Sequence, residues 1–161
     1  MSCIREFTEN DLSQMIAIWN EIVAAGEAFP QEEPLDMVAG EEFFNGQSFT
    51  GVYEDEGEIL GLYILHPNNV GRCGHIANAS YAVKSGQRGK RIGEQLILHS
   101  MQRGRELGFR ILQFNAVTAT NTGALHLYQK LGFKQLGRIP GGFRDKSGEY
   151  VDIIPHFIEL S

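Results

Sequence analysis

Little in this sequence could staple, chelate or anchor. Its two cysteines, Cys3 and Cys73, lie far apart, with no metal-ligand spacing and no disulfide framework around them. That excludes a disulfide scaffold, gives no reason to expect a metal, and points to a reduced, cytoplasmic setting. No apolar run approaches the ~20 residues that span a bilayer, so no membrane partner is expected. Arg5 and Glu6 follow the first residues so closely that no secretory signal is expected either. Basic residues are in the minority, 14 Lys and Arg against 20 Asp and Glu, and the net charge of −6 argues against nucleic acid as a partner. Linker composition, repeats and low-complexity tracts are missing too. The 161 residues therefore read as one domain, 1–161, able to bury a core unaided.

What is present is periodic. Ile4 and Phe7 mark a short first strand, and Thr8 to Asp11 has the form of a capping box. Leu12, Met15, Ile16, Trp19, Ile22 and Val23 recur at helical spacing, predicting a helix to about Ala24. A second helix is expected from Met37 to Asn45, then strands over Phe49 to Tyr53 and Ile59 to Leu65. His75 to Val83 reads as a central strand. Ile92, Leu96, Ile97, Met101 and Leu107 form the apolar stripe of a third helix, which Gly108 stops. Arg110 to Val117 is a strand, and Asn121 caps a fourth helix that Gly132 ends. Strands over Lys134 to Ile139 and Tyr150 to Leu160 flank a polar, Gly-rich loop, Pro140 to Gly148. The order β-α-α-β-β-β-α-β-α-β-β implies an α/β (α+β) fold, a mixed and mostly antiparallel sheet of about seven strands flanked by four helices.

One segment stands against the acidic background. Val83 to Gly93 ends a strand and opens the third helix with Arg88, Gly89, Lys90, Arg91 and Gly93. Glycine lets the backbone approach a ligand closely. The N–H groups of a first helical turn lack intrahelical partners and carry the positive end of the helix dipole. Together they make an anion site, best suited to a pyrophosphate. The spacing is neither the dinucleotide pattern nor the P-loop. A Gly-rich turn with solvated basic residues is the plainer alternative.

The loop resembles the acyl-CoA loop of the GNAT superfamily of N-acetyltransferases, Arg/Gln-x-x-Gly-x-Gly/Ala. It matches at Arg88 and Gly93 and has Arg91 where the middle glycine belongs. A second segment, Asn121 to Phe133, is similar to that family's N-x-x-A-x-x-x-Y-x-x-x-G-F at Asn121, Ala124, Tyr128, Gly132 and Phe133. The resemblance extends over the full chain and implies the GNAT acyl-CoA N-acyltransferase fold, in which the fourth and fifth strands splay apart. It further implies acetyl-CoA as acetyl donor, its pantetheine lying in the gap like a substitute strand against main-chain groups of Tyr81, Ala82 and Val83. One N–H there, of Ala82 or Val83, would polarise the thioester carbonyl, a contribution worth roughly 3 kcal/mol of barrier. Asn121 and Ala124 would hold the pantetheine arm; Arg88, Gly89, Lys90, Arg91, Ile92, Gly93 and Glu94 would hold the phosphates. Tyr128 would be the general acid that protonates the leaving sulfur, or else a ring packed on the sheet.

Asn78 and Asn115 fall on the two splaying strands, where asparagine is disfavoured. Their amides either bind the acceptor or satisfy the broken ladder. The segments around them resemble acetyltransferases of proline analogues such as L-azetidine-2-carboxylate, which implies that Asn78 and Asn115 are acceptor-site residues acting in catalysis. The ends of Ile18 to Glu21 and Ala28 to Pro30 resemble phosphinothricin acetyltransferases. The implied partner is a small amine, an amino acid or its analogue. Glu21 is a candidate base or a solvated helix carboxylate, and His75 a candidate base or a structural histidine. Glu27, Glu32 and Glu33 fall on a loop that could attract a cationic acceptor. Phe29, Trp19 and Phe143 wall the pocket or belong to the core. The Pro140 to Gly148 loop either closes over the acceptor or makes a homodimer contact. A protein N-terminal or lysine acetyltransferase, and an acyl-CoA sensor without turnover, are the rival functions.

Overall fold

The computed structural model describes residues 1–87 and 89–161. In chain order the elements are β1 (Ser2–Glu6), α1 (Leu12–Ala25), α2 (Met37–Asn45), β2 (Phe49–Asp55), β3 (Glu58–Pro67), β4 (Ile76–Val83) and α3 (Ile92–Glu106). There follow β5 (Ile111–Phe114), α4 (Thr122–Lys130), β6 (Lys134–Gln135), β7 (Ile139–Arg144), β8 (Tyr150–Ile153) and β9 (His156–Glu159). Short 3-10 turns at Glu9–Asp11 and Gly71–Cys73 precede α1 and β4. Among these residues no helix is long and apolar enough to cross a membrane.

Seven strands form one sheet in the order β1-β2-β3-β4-β5-β9-β6. Every pairing is antiparallel except β4 with β5, which is parallel. That mixed sheet with four helices is the architecture expected from the sequence. The near-continuous apolar run Ile59 to Leu65 becomes β3, buried on both faces as a central strand requires. On one face Leu96, Ile97 and Met101 of α3 and the partly buried Leu125 and Leu127 of α4 build a core with Leu65, Leu112 and Phe114. On the other, Leu12, Met15, Ile16 and Trp19 of α1 close over Val52, Leu62 and Ile64, with Phe44 of α2.

Several boundaries differ from expectation: β5 stops at Phe114 rather than Val117, and of the strand expected over Lys134 to Ile139 only Lys134–Gln135 forms β6. Tyr150 to Leu160 is not one strand: Pro155 has no N–H to give a ladder, and the chain breaks there into β8 and β9. Pro140 to Gly148 is not a loop, since Ile139–Arg144 is β7, paired with β8 in a separate two-stranded sheet. Of the glycines that suggested a loop, Gly141 and Gly148 turn the chain at φ 63° and 89°, whereas Gly142 serves packing. A Cβ on Gly142 would lie 2.5 Å from Ile153 Cγ1, so only glycine lets that side chain rest on the strand. The hairpin leans on the α1–α2 connection, where Lys146 N–H donates to Gly26 O at 3.1 Å and Arg144 pairs with Glu32 at 3.0 Å.

The start of α1 is fixed by charge. Asp11 is buried, and its carboxylate accepts from Thr8 N–H at 2.8 Å and from both Arg5 terminal nitrogens at 2.8 and 3.0 Å. Arg5 also reaches Glu54 at 2.6 Å, tying β1, β2 and α1 together. The Arg5 guanidinium is the chief cause holding the Asp11 carboxyl below its usual value. Because the folded value is depressed, this stabilisation is complete above the ordinary 3.8 and is lost as pH falls from there through the folded value. Asp11→Asn should cost about 2 kcal/mol at pH 7. Urea unfolding should show the gap between the two proteins closing as the pH drops through that acid range.

Candidate active site

β4 and β5 pair only at Ile76 with Ile111 and Ala77 with Leu112. Beyond that point the strands part. Asn78 stands at the fork, its Nδ2 donating to Gln113 O at 2.8 Å in place of the next ladder bond. The alternation of β4 follows from its antiparallel pairing with β3. Lys84 N–H donates to Leu60 O, and Asn68 N–H to Ile76 O, so residues 76, 78, 80, 82 and 84 face β3. Ala79, Tyr81 and Val83 therefore turn their main-chain groups into the gap. Ala82 does not, because its backbone is committed to Leu62; of the two oxyanion donors expected from the sequence, Ala82 and Val83, only Val83 has its main chain on the gap side.

The gap widens into a cleft of about 830 Å³. Asn78, Ala79, Ser80 and Tyr81 form one wall, and Phe114, Asn115, Ala116 and Val117 the other. Asn121, Ala124 and Tyr128 close it from α4, and Phe29, Gln31 and Gln47 from the α1–α2 side. The polar lining is made of amides, hydroxyls and His66, and no Asp, Glu, Lys or Arg lines it among the described residues.

Tyr128 is placed by its ring and by the cleft together. Its ring packs on Phe114 and Phe133, at centroid distances of 4.7 and 5.5 Å, while the residue lines the cleft. Burial alone pushes its phenol up to about 12, so the group stays a proton donor across the physiological range. The Tyr81 hydroxyl is spent elsewhere, on Ser100 Oγ at 2.7 Å, leaving only its backbone to the gap. Behind Tyr128 stands His156, edge-on at 5.5 Å, buried and lowered in pKa by desolvation, with Nδ1 on Ile154 O at 2.6 Å.

On the far side of the gap, Gly86 and Gly89 turn the chain at φ 81° and 82° before α3 begins. Arg91 caps that helix at φ 55°, taking the left-handed conformation that the pattern's glycine would supply. Gly89, Arg91, Ile92, Gly93 and Glu94 line a recess of about 360 Å³ that His126 and Lys130 of α4 face. Lys90 Nζ donates to Gln87 Oε1 at 2.8 Å, and Glu94 pairs with Lys130 at 2.7 Å. Arg88 lies outside the described residues.

The acetyltransferase (GNAT) family model matches residues 13–133. The chain belongs to that family. N-acetyltransferase aca1 of Schizosaccharomyces pombe is 37% identical over 58% of this chain, which spans only 46% of that protein. The L-methionine sulfoximine/L-methionine sulfone acetyltransferase of Pseudomonas paraeruginosa is 28% identical over 98% of this chain and 93% of its own. A GCN5-related N-acetyltransferase from Kribbella flavida superposes with a TM-score of 0.90 at 31% identity, covering 98% of this chain and 97% of that one. The phosphinothricin acetyltransferase of Sinorhizobium meliloti in complex with AcCoA shares the fold, with a TM-score of 0.89 at 22% identity over 99% and 89% of the chains.

Several expected residues of this GNAT chain lie apart from the cleft. Glu21 is exposed on α1, where its carboxylate accepts from Ser85 Oγ at 3.0 Å and from Ser85 N–H at 3.4 Å, beside the loop rather than among the cleft residues. His75 is exposed, and His66 lines the cleft instead. Trp19 is core, its ring tilted against that of Phe29 at a centroid distance of 4.4 Å, and Phe143 is buried in β7. His156 escaped sequence reasoning, since its only signal was a histidine following the last proline. Asn121 accepts from Ala124 N–H at 3.1 Å, capping α4 as predicted.

The burial of Tyr128 is measurable. In a tyrosinate titration at 295 nm, Tyr128→Phe should leave the absorbance step near pH 10 intact and remove one phenol ionising near 12. Loss of a step near 10 would mean that the hydroxyl is solvated.

Proposed function

We propose that this chain transfers the acetyl group of acetyl-CoA directly to the amine of a small amino acid or amino-acid analogue, within a ternary complex. The observation that carries the reading is the gap between β4 and β5. It runs between a glycine-turned, helix-capped recess suited to phosphates and an uncharged, amide-rich cleft. The relative named for methionine sulfoximine and methionine sulfone supports the same acceptor class.

The residues divide the work as follows. Gly89, Lys90, Arg91, Ile92, Gly93 and Glu94 receive the pyrophosphate, with Arg88 beside them, and the Glu94–Lys130 pair keeps the carboxylate from repelling it. Tyr81 and Val83 offer N–H and C=O groups to the pantetheine amides, and one of those N–H groups stabilises the oxyanion. Ala82 supports the strand between them, while Asn121 and Ala124 line the arm. Asn78 and Asn115 hold the acceptor, with Phe29 as its apolar wall. The neutral amine attacks the thioester carbonyl. As the C–S bond breaks, Tyr128 gives its proton to the departing sulfur and recovers one from the acetylated ammonium through water. With no carboxylate lining the cleft among the described residues, ordered water is the base that deprotonates the acceptor. The setting is cytoplasmic, in keeping with the two free, exposed cysteines, and neither nucleic acid nor membrane takes part.

The test is acceptor-dependent CoA release across proline analogues, phosphinothricin-like amino acids, polyamines, aminoglycosides and short peptides. Turnover with an amino-acid analogue supports the reading. Turnover with peptides alone would make the chain a protein acetyltransferase, and acetyl-CoA binding with no release would make it a sensor. With the responding acceptor, Tyr128→Phe should lower kcat at least tenfold with KM for acetyl-CoA nearly unchanged. Asn115→Ala should raise the acceptor KM while leaving acetyl-CoA binding intact. Equal loss of both would make Asn115 a structural residue.

A further inference from the structure

Behind the cleft wall runs a short chain of carboxamides. Gln113 Nε2 donates to Asn115 Oδ1 at 3.1 Å, and Asn115 Nδ2 donates to Asn68 Oδ1 at 2.6 Å. Asn68 begins the β3–β4 connection, where its own N–H is fixed on Ile76 O at 2.7 Å. Gln113 belongs to β5, and its carbonyl already receives Asn78. Neither Asn68 nor Gln113 lines the cleft, whereas Asn115 between them does.

A carboxamide has a donor end and an acceptor end of nearly equal shape, so an isolated asparagine on an exposed wall can present either. Here the two ends are tied to neighbours on opposite sides, so Asn115 turns over only if Asn68 and Gln113 turn with it. If Asn115 alone turned over, its oxygen would face the oxygen of Asn68, and its NH₂ the NH₂ of Gln113. Both contacts would become repulsive, so the three amides keep one polarity together. With one N–H spent on Asn68, Asn115 retains a second N–H. Asn78, whose Nδ2 is spent on Gln113 O, retains its Oδ1. The two splayed strands then offer opposite functions to the acceptor, a donor from β5 and an acceptor oxygen from β4.

We infer that Asn68 and Gln113 are positioning residues that fix the amide of Asn115 with its N–H available to an oxygen of the acceptor, and so set acceptor affinity from behind the cleft wall. This rests on the transfer reading above. It assigns a role to two residues on separate elements, 45 positions apart, that touch neither the proposed acetyl-CoA path nor the acceptor.

The oxygen of Asn68, not its bulk or its NH₂, is what the inference needs. Asn68→Asp keeps an oxygen for Asn115 to donate to, whereas Asn68→Leu keeps the size and loses it. With the responding acceptor, Asn68→Leu should raise the acceptor KM about tenfold, the scale of one hydrogen bond to an oriented group. Asn68→Asp should stay within about twofold, and KM for acetyl-CoA should not move in either. Gln113→Glu turns the other neighbour from donor to acceptor and should raise the acceptor KM as Asn68→Leu does. An Asn68→Asp defect equal to that of Asn68→Leu, or an unchanged acceptor KM in both Asn68→Leu and Gln113→Glu, overturns the inference.

A readout independent of turnover is the Asn115 side-chain NH₂ signal in a ¹⁵N–¹H spectrum, assigned by its loss in Asn115→Asp. It should shift in Asn68→Leu and keep a hydrogen-bonded proton in Asn68→Asp. If wild type turns over no acceptor, the transfer reading fails by itself. This signal still decides the orientation of Asn115, and an unmoved signal in Asn68→Leu overturns it.

Discussion

The structure depends on a ladder that is broken on purpose. A parallel strand pair normally satisfies its backbone groups along its whole length, and buried N–H and C=O groups left unpaired are costly. β4 and β5 bond for two residue pairs and then part, although β4 continues to Val83 in full register with β3. The sheet tolerates this because the exposed backbone is confined to one side of one strand. Asn78 closes the fork with a side-chain amide, and the aromatic cluster of Phe114, Phe133 and Tyr128 fills the angle behind β5. The open groups form a template for an extended, amide-bearing arm. In the proposed function, the same geometry that costs stability receives a molecule with alternating donors and acceptors.

Charge is distributed along this gap in a way that composition alone conceals. The acidic surplus lies mostly in the β2–β3 turn and on exposed helix and loop positions, while Lys90, Arg91 and Lys130 gather at the start of α3. Glu94 sits among them but is neutralised by Lys130 across the recess, and that pair is the main cause of its lowered pKa. At the other end no Asp, Glu, Lys or Arg lines the cleft among the described residues, so on the proposed reading hydrogen-bond polarity selects what enters it. In such a site the direction in which each amide points carries as much information as which residue bears it.

The sequence disclosed whatever depends on neighbours along the chain. Apolar spacing located α1, α3 and α4, and the run Ile59 to Leu65 marked a strand. Asn121 was legible as a cap because capping is a three-residue event. Contacts that join distant elements were not legible. Nothing in the sequence ties Asn68 to Asn115, 47 residues on, or places His156 against Tyr128. Local rules also misled where tertiary packing overrode them. Glycine at 141 and 142 suggested a loop, yet Gly142 is there to admit Ile153. Glu21, a candidate base or a solvated helix carboxylate by its place on α1, is exposed and accepts from Ser85.

Arg91 joins these threads. Where the family pattern calls for glycine, this chain has arginine, yet the backbone keeps the conformation glycine would give, φ 55°. A non-glycine residue in the left-handed region costs on the order of 1–2 kcal/mol. That cost brings a guanidinium to the first turn of α3, where the helix dipole and free N–H groups already favour an anion. A departure that looks like a weakened motif therefore keeps the turn and adds a fixed positive charge.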